Sequence, residues 1–242
     1  MLRRIGLLPA SGSASRINGL PKFALPYSST KTLIQYHMEL MLPVVDEIRV
    51  STRESWEPLL KGLGVNERAK IYKIEPSTMN DALYRMTRDE QDQKNIQFIV
   101  GMPDTVWTAT DENPYLKLVS TDSECDVALL LSPFRESLRG KVGQVGITES
   151  NIVKEIIDKD VKCNHKNIWT AFRMNGYRLT PSDKSPSNSF LEMLVRKEKI
   201  DVAIFNGVYH DLGSIEGIKE FYSSLQTSES LHLKNGSDAN VQ

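Results

Sequence analysis

The 242 residues predict an α/β protein: a doubly wound, mostly parallel mixed sheet flanked by helices. Three observations carry this. Through residues 1–135, short apolar runs alternate with stretches whose apolar residues recur at helical spacing, the pattern of a parallel sheet with crossover helices. The breaks between them are short and rich in Gly, Ser and Pro. Hydrophobic residues make up 40% and charged residues 25%, an ordinary globular composition in a chain long enough to bury its own core.

Each element has a local reason. Arg4 to Pro9 is a buried strand that runs into the small-residue loop Ala10-Ser-Gly-Ser-Ala-Ser15. Thr32 to Leu42 is a helix, opened by the Thr30 and Thr32 hydroxyls and stopped before Pro43. Glu47 to Ser51 is the second strand; Trp56 to Leu63 is a short helix ended by Gly64; Lys70 to Ile74 is the third strand. Asn80 to Glu90 is helical with Ala82, Leu83 and Met86 inward, and the charged run Arg85 to Lys94 is its solvated end. Ile96 to Val100 is a central strand leading to Gly101-Met-Pro-Asp104, and Asp126 to Leu131 is another. Val142 to Ile147 is an edge or hairpin strand followed by Ile152 to Ile157. Lys166 to Leu179 is strand then loop, Ser189 to Lys197 a helix, Ala203 to Phe205 a strand and Gly213 to Leu225 the last helix. The polar stretch from Thr227 to Gln242 reads as a flexible tail on a single domain of residues 1–226.

Charge and cysteine content narrow the function. There are 30 Lys and Arg against 31 Asp and Glu, a net charge of −1, so a dedicated nucleic-acid binder is not expected. Cys125 and Cys163 exclude a disulfide framework or four-cysteine zinc site, and the four histidines lack ligand spacing. The first nine residues carry no signal-peptide or membrane-span pattern, so no membrane partner and a cytoplasmic location are expected. In open α/β sheets ligands bind beyond the carboxyl ends of the strands. The loop after the first strand, the loop after Ile74, and Asp104 all fall there.

The segment Ala10, Ser11, Gly12, Ser13, Ala14, Ser15 lets backbone N–H groups approach phosphate oxygens without obstruction by large side chains, and Arg16 and Lys22 add cations. It is neither a P-loop nor a dinucleotide fingerprint. Pro9 to Ile17 followed by Pro21-Lys-Phe-Ala-Leu-Pro26 resembles the opening of the sugar-1-phosphate nucleotidyltransferases, L-A-x-G-x-G-x-R-(L/M) then P-K-x-L-(L/V)-P. The resemblance continues in order through Ile99-Val-Gly-Met-Pro-Asp104, through Val153 to Lys159 (the family's E-K-P strand) and through His210-Asp-Leu-Gly-Ser-Ile-Glu216 (its W-x-D-x-G-(S/T) motif). It spans residues 3–225. Ala14 stands at the family's second glycine, Asp158 at its glutamate and Asp160 at the proline after Glu-Lys.

The resemblance implies a Rossmann-like nucleotidyltransferase fold, with a nucleotide-binding half, 1–135, and a sugar-phosphate-binding half, 136–226. It implies Mg²⁺-assisted in-line attack of a sugar-1-phosphate on the α-phosphate of a nucleoside triphosphate. Lys22 would bridge the α-phosphate and the acceptor phosphate, and Arg16 would hold the departing phosphates. Asp104 and Asp211 would share the Mg²⁺. Lys159 would bind the sugar phosphate, and Gly143 would let the backbone reach a sugar hydroxyl. Ser77, Thr78 and Glu75 would line the nucleotide. Glu75 falls where thymidylyltransferases of the family place a base-pairing glutamine; an ionised carboxylate only accepts hydrogen bonds, which favours CTP over UTP and dTTP with GTP the main competitor. Trp107, Trp169 and Tyr209 are read chiefly as core and secondarily as a sugar pocket. A homo-oligomer is compatible with all of this. Two rivals stand beside it: a homologue that binds nucleotide or NDP-sugar without turnover, which the Ala14 and Asp160 departures motivate, and a glycosyltransferase on a related fold, which would need a second acid next to Asp104.

Overall fold

A computed structural model describes residues 2–14, 17–76, 78–90, 95–121, 125–175 and 199–225. Eleven strands are described: β1 (Arg3–Pro9), β2 (Glu47–Thr52), β3 (Lys70–Lys73), β4 (Ile96–Gly101), β5 (Thr105–Thr108), β6 (Val127–Pro133), β7 (Gly143–Ile147), β8 (Val153–Asp158), β9 (Asn167–Asn175), β10 (Ile200–Ile204) and β11 (Val208–Asp211). The helices are α1 (Leu33–Met41), α2 (Glu57–Gly62), α3 (Met79–Thr87), α4 (Pro114–Val119) and a last one, α5, over 215–225.

Nine strands form one sheet whose main path runs β10-β6-β9-β4-β1-β2-β3. All neighbours on that path are parallel except β9, which is antiparallel to both β4 and β6. The β7–β8 hairpin joins at the start of β9, through Gln144 opposite Ile168. Because β9 runs backwards, its first residues and this hairpin lie at the carboxyl ends of β4 and β6. The expected doubly wound, mostly parallel mixed sheet is therefore what the chain builds.

The sheet is buried on both faces, and strand alternation decides which residue goes where. Leu8, Ile99, Leu130 and Ala171 face one hydrophobic cluster with Leu33, Ile34, Met38 and Met41 of α1, Leu60 of α2, Tyr115 and Leu118 of α4 and Phe221 of α5. Their neighbours Leu7, Phe98, Val100, Leu129 and Phe172 face the opposite cluster, with Leu83 and Met86 of α3 and Val145, Val153 and Ile156 of the hairpin. α1 opens as its sequence predicts: Thr32 and Gln35 form a reciprocal capping box.

Three short elements were not anticipated. β5 and β11 form a separate two-stranded antiparallel sheet, and α4 opens on an Asn113 cap followed by Pro114. The charged end of α3 needs a correction: Glu90 is not a solvated residue there, because it turns back to make a two-pronged ion pair with Arg49. Arg49 is 2% exposed, and such a buried cation requires a carboxylate partner. Trp107 and Tyr209 are core residues, 3% and 6% exposed and packed edge to face, so neither lines a sugar pocket. The expected helix over Ser189 to Lys197 and the tail from Thr227 lie outside the described residues. No helix among the described residues is long and apolar enough to cross a membrane.

Candidate active site

A cavity of about 410 Å³ opens beyond the carboxyl ends of β1, β2 and β4. Its lining includes all five described residues of the loop after β1, from Ala10 to Ala14, together with Lys22, Thr78 and Asp104. The predicted loop residues, Lys22, Thr78 and Asp104 thus come together from four separate stretches of chain.

The loop conformation has a clear logic. Nothing lies within 4 Å of where a Cβ on Gly12 would stand, so the backbone there is open to the cavity. Ser11 is 1% exposed and its hydroxyl bonds that of Ser51 at 3.0 Å, tying the loop to the end of β2. Ala14 has φ +52°, the left-handed region in which glycine is the natural residue. The resemblance puts the family's second glycine at this position, and an alanine in that conformation carries a cost in strain. The Ala14 carbonyl accepts from Ile17 and Gly19 N–H, closing the turn. Arg16 and Ser77 lie outside the described residues.

Lys22 sits at the start of a short 3-10 turn over Lys22–Ala24 and reaches across the cavity to Asp104, with Nζ 3.0 Å from Oδ2. Its side chain is 17% exposed and that of Asp104 29%, so both meet the cavity while partly shielded from bulk water.

Asp104 is held from behind by groups that spacing did not single out. The turn from Met102 is closed by Thr105, whose N–H and hydroxyl both donate to the Met102 carbonyl. The Thr105 carbonyl in turn accepts from His37 Nε2 at 2.8 Å. With Nε2 donating, His37 Nδ1 accepts from the Tyr115 hydroxyl at 2.6 Å. His37 is fully buried, and burial lowers its pKa to about 4, so the ring is neutral at pH 7. A Cβ on Gly101 would lie 1.9 Å from the Tyr115 oxygen, so glycine is required there. From the preceding residue of α1, the Tyr36 hydroxyl donates to the Trp107 carbonyl and accepts from its N–H. The helix thus grips β5 at two points.

Asp211 arrives beside Asp104 through β5 and β11. It lies opposite Thr105 in the ladder, and the N–H of Leu212 donates to the Asp104 carbonyl at 2.9 Å. Its own carboxylate accepts from Gly213 N–H at 2.7 Å, and a Cβ on Gly217 would lie 1.9 Å from its carbonyl oxygen. Glycine at 217 therefore lets α5 start hard against this aspartate. Tyr209, opposite Trp107 in the same ladder, is buried, its phenol pushed well above the ordinary range by burial and then by the charges of Asp211 and Asp104. Two hard carboxylates on adjacent backbone positions, one of them bordering the cavity, suit Mg²⁺, which takes one or two carboxylates and completes its shell with water and substrate phosphates. Among the described residues there is no group of three or more His, Cys, Asp or Glu that would form an all-protein metal cage.

The remaining predicted residues lie outside the cavity lining. Glu75 stands at its rim beside Pro76, 73% exposed, with Oε1 4.0 Å from Arg53. Gly143 starts β7, opposite Asp158 of β8. Lys159 follows β8 with φ +50°, its N–H bonded to the Val142 carbonyl. Thr170 and Ala171 of β9 are fully buried. Arg53 and Trp56 line the cavity and were missed; nothing in the sequence around them signals a ligand.

No family model matches the chain, and no curated protein matches its sequence. Solved structures do match, and they show its fold, that of the sugar-1-phosphate nucleotidyltransferases. A UDP-glucose pyrophosphorylase complexed with UDP-glucose superposes with a TM-score of 0.75 at 16% identity, over 94% of this chain and 100% of that one. A Bacillus anthracis protein assigned as a glucose-1-phosphate thymidylyltransferase, in complex with a sucrose, gives 0.74 at 15%, over 91% and 94%. The inositol-1-phosphate CTP transferase of T. maritima gives 0.67 at 18%, over 92% and 96%.

Proposed function

We propose that the chain is a nucleotidyltransferase that joins a nucleoside triphosphate and a sugar-1-phosphate, giving an NDP-sugar and pyrophosphate. The observation that carries this reading is the Lys22–Asp104 pair, set in a cavity whose wall is the small-residue loop after β1. A phosphate oxygen of the acceptor attacks the α-phosphorus; a new P–O bond forms, and the bond to the oxygen bridging the α- and β-phosphates breaks. The nucleophile is already an anion, so no general base is required. The barrier lies in bringing two polyanions into line and stabilising charge on the leaving group.

The residues divide that work. Backbone N–H groups of the loop from Ser11 to Ala14 cradle phosphate oxygens, the Ala10 N–H being held by the Ser51 carbonyl, and Thr78 also lines the cavity. Lys22 places its ammonium between the α-phosphate and the acceptor phosphate. Asp104 holds that ammonium before substrate arrives. Asp104 and Asp211 are the residues that would hold Mg²⁺, which when bound neutralises phosphate charge and orients the triphosphate. Arg16 and Ser77 belong to this set by sequence. The second half of the chain supplies the acceptor end, with Gly143 and Lys159 at the hairpin beyond β9.

The test is a pyrophosphate-release screen of four ribonucleoside triphosphates and dTTP against a panel of sugar-1-phosphates, with and without Mg²⁺. Turnover that requires both substrates and Mg²⁺ supports the assignment. Background release from every pair ends it in favour of a protein that binds nucleotide without turnover.

A further inference from the structure

The Lys22–Asp104 pair gives each partner two duties. Under the transferase reading Asp104 is to hold Mg²⁺ and Lys22 is to meet phosphate, yet in the structure they hold each other. Nζ of Lys22 is 3.0 Å from Oδ2 of Asp104, and among the described residues Lys22 is the one hydrogen-bond partner of that carboxylate. The second acid is less available: the Asp211 carboxylate accepts from Gly213 N–H at 2.7 Å, whereas Asp104 lines the cavity. Mg²⁺ on the Asp104 carboxylate would set a double positive charge beside the ammonium with no anion between them. The side chains of Lys22 and Asp104 are 17% and 29% exposed, so water screens that repulsion poorly. Ammonium and metal are therefore alternative partners of one carboxylate.

We propose that Lys22 stands in for the metal: its ammonium closes Asp104 to divalent cations until a triphosphate enters the cavity and draws it away. The proposal rests on the transferase reading for the triphosphate and for the metal. It makes the metal site conditional on the nucleotide, through a residue that also serves the reaction.

The exchange needs a side-chain movement only. The backbone of Lys22 is fixed by its 3-10 turn, in which Ala24 N–H donates to the Pro21 carbonyl and Leu25 N–H to the Lys22 carbonyl, and by the neighbouring Phe23, 2% exposed. The ammonium itself swings on a flexible four-carbon stem and carries three donors. The loop from Ser11 to Ala14 lines the same cavity, so a triphosphate held there offers the ammonium several anionic oxygens in place of one carboxylate. The same movement uncovers Asp104 when the phosphates have brought in negative charge for a metal to share. Charge balance thus orders the site: the ammonium on Asp104 before the triphosphate arrives, and the ammonium on phosphate with Asp104 open to the metal afterwards.

Mn²⁺ binding to the full chain without nucleotide, read by calorimetry, tests this apart from turnover, because Mn²⁺ takes the same carboxylate ligands as Mg²⁺. Lys22→Met keeps an unbranched side chain, loses the charge and is expected to bind Mn²⁺ at least tenfold more tightly than wild type. Lys22→Arg keeps the charge and is expected to bind like wild type. Adding Asp104→Asn to Lys22→Met is expected to abolish the gain. In EDTA, inorganic tripolyphosphate, which stands for the phosphates of any nucleotide, is expected to bind Lys22→Met at least threefold more weakly than wild type. Wild type binding Mn²⁺ as tightly as Lys22→Met overturns the inference. So does a gain that survives Asp104→Asn or appears equally in Lys22→Arg, and so does tripolyphosphate binding that ignores the charge at 22. In those cases pyrophosphate release by the wild type continues and the transferase reading stands. No tripolyphosphate binding together with no pyrophosphate release overturns both.

Discussion

The neutral histidine behind Asp104 makes the fold acid-sensitive, and the size of the effect follows from its burial. His37 has an ordinary pKa of 6.5 and a folded value of about 4, lowered first by burial. Below pH 6.5 the unfolded chain takes up a proton that the fold refuses, so stability present at pH 7 is lost as pH falls toward 4. Linkage puts the loss between pH 7 and pH 5 at about 2 kcal/mol, and the full loss below pH 4 at about 3 kcal/mol. His210, also lowered to about 4, by burial first and then by the charge of Arg135, adds to the slope in the same direction. The perturbation is His37→Gln, whose amide can donate to the Thr105 carbonyl and accept from Tyr115. Urea unfolding of both proteins at pH 7 and pH 5 measures the difference. The variant loses about 2 kcal/mol less than wild type over that interval, retaining the His210 share. Equal losses in the two proteins would refute the reasoning, because His37 would then not be the group that refuses the proton.

Three further outcomes follow from the site. Lys22→Ala removes the cation aligned with the transferring phosphoryl and lowers kcat by a factor on the order of 10², with KM changing less; steady-state kinetics decides, and a near-normal kcat makes Lys22 an ordinary surface cation. Asp104→Asn and Asp211→Asn each raise the Mg²⁺ concentration needed for half-maximal rate, and the double variant loses less than the product of the single losses; a fully multiplicative result means the acids act separately. Ala14→Gly relieves the left-handed alanine, roughly 1–2 kcal/mol, against about 0.4–1 kcal/mol of added freedom in the unfolded chain. A rise in urea stability of roughly 0.5–1 kcal/mol is expected, and a fall would show that the Ala14 methyl, 7% exposed, contributes more by packing than it costs in strain.

The long strands and α1 were legible because a buried sheet imposes alternation and a capped amphipathic helix imposes its own period; both are local signals. β5 and β11 were not, for a physical reason. Each is four residues long, too short to show a period, and each exists only because the other pairs with it across about a hundred residues, as the Thr108–His210 contact marks. α4, also not anticipated, does carry a local signal, Asn113 as cap and Pro114 in the first turn. His37 also left a trace, falling with Leu33, Ile34 and Met41 on the apolar stripe of α1; a histidine there must be neutral and bonded at both nitrogens. Arg53 left none, since an arginine after a strand is ordinary until Ser11, Trp56 and Glu75 are seen around it.

The departures from the family pattern separate once backbone geometry is considered. Ala14 takes a left-handed φ of +52°, which glycine adopts most easily, so alanine there carries a cost in strain. Lys159 is different. A proline at 160 would hold the preceding residue extended. With Asp160 in its place, Lys159 adopts φ +50° and Gly140, across the turn, φ +70°, with the Lys159 carbonyl 3.9 Å from where a Gly140 Cβ would stand. The side chain at 159 therefore leaves the end of β8 in a direction that a pre-proline lysine could not take. On the proposed function, the departure at 159 and 160 changes the backbone at the hairpin of β7 and β8, whereas the one at 14 leaves a left-handed residue where the motif has a glycine.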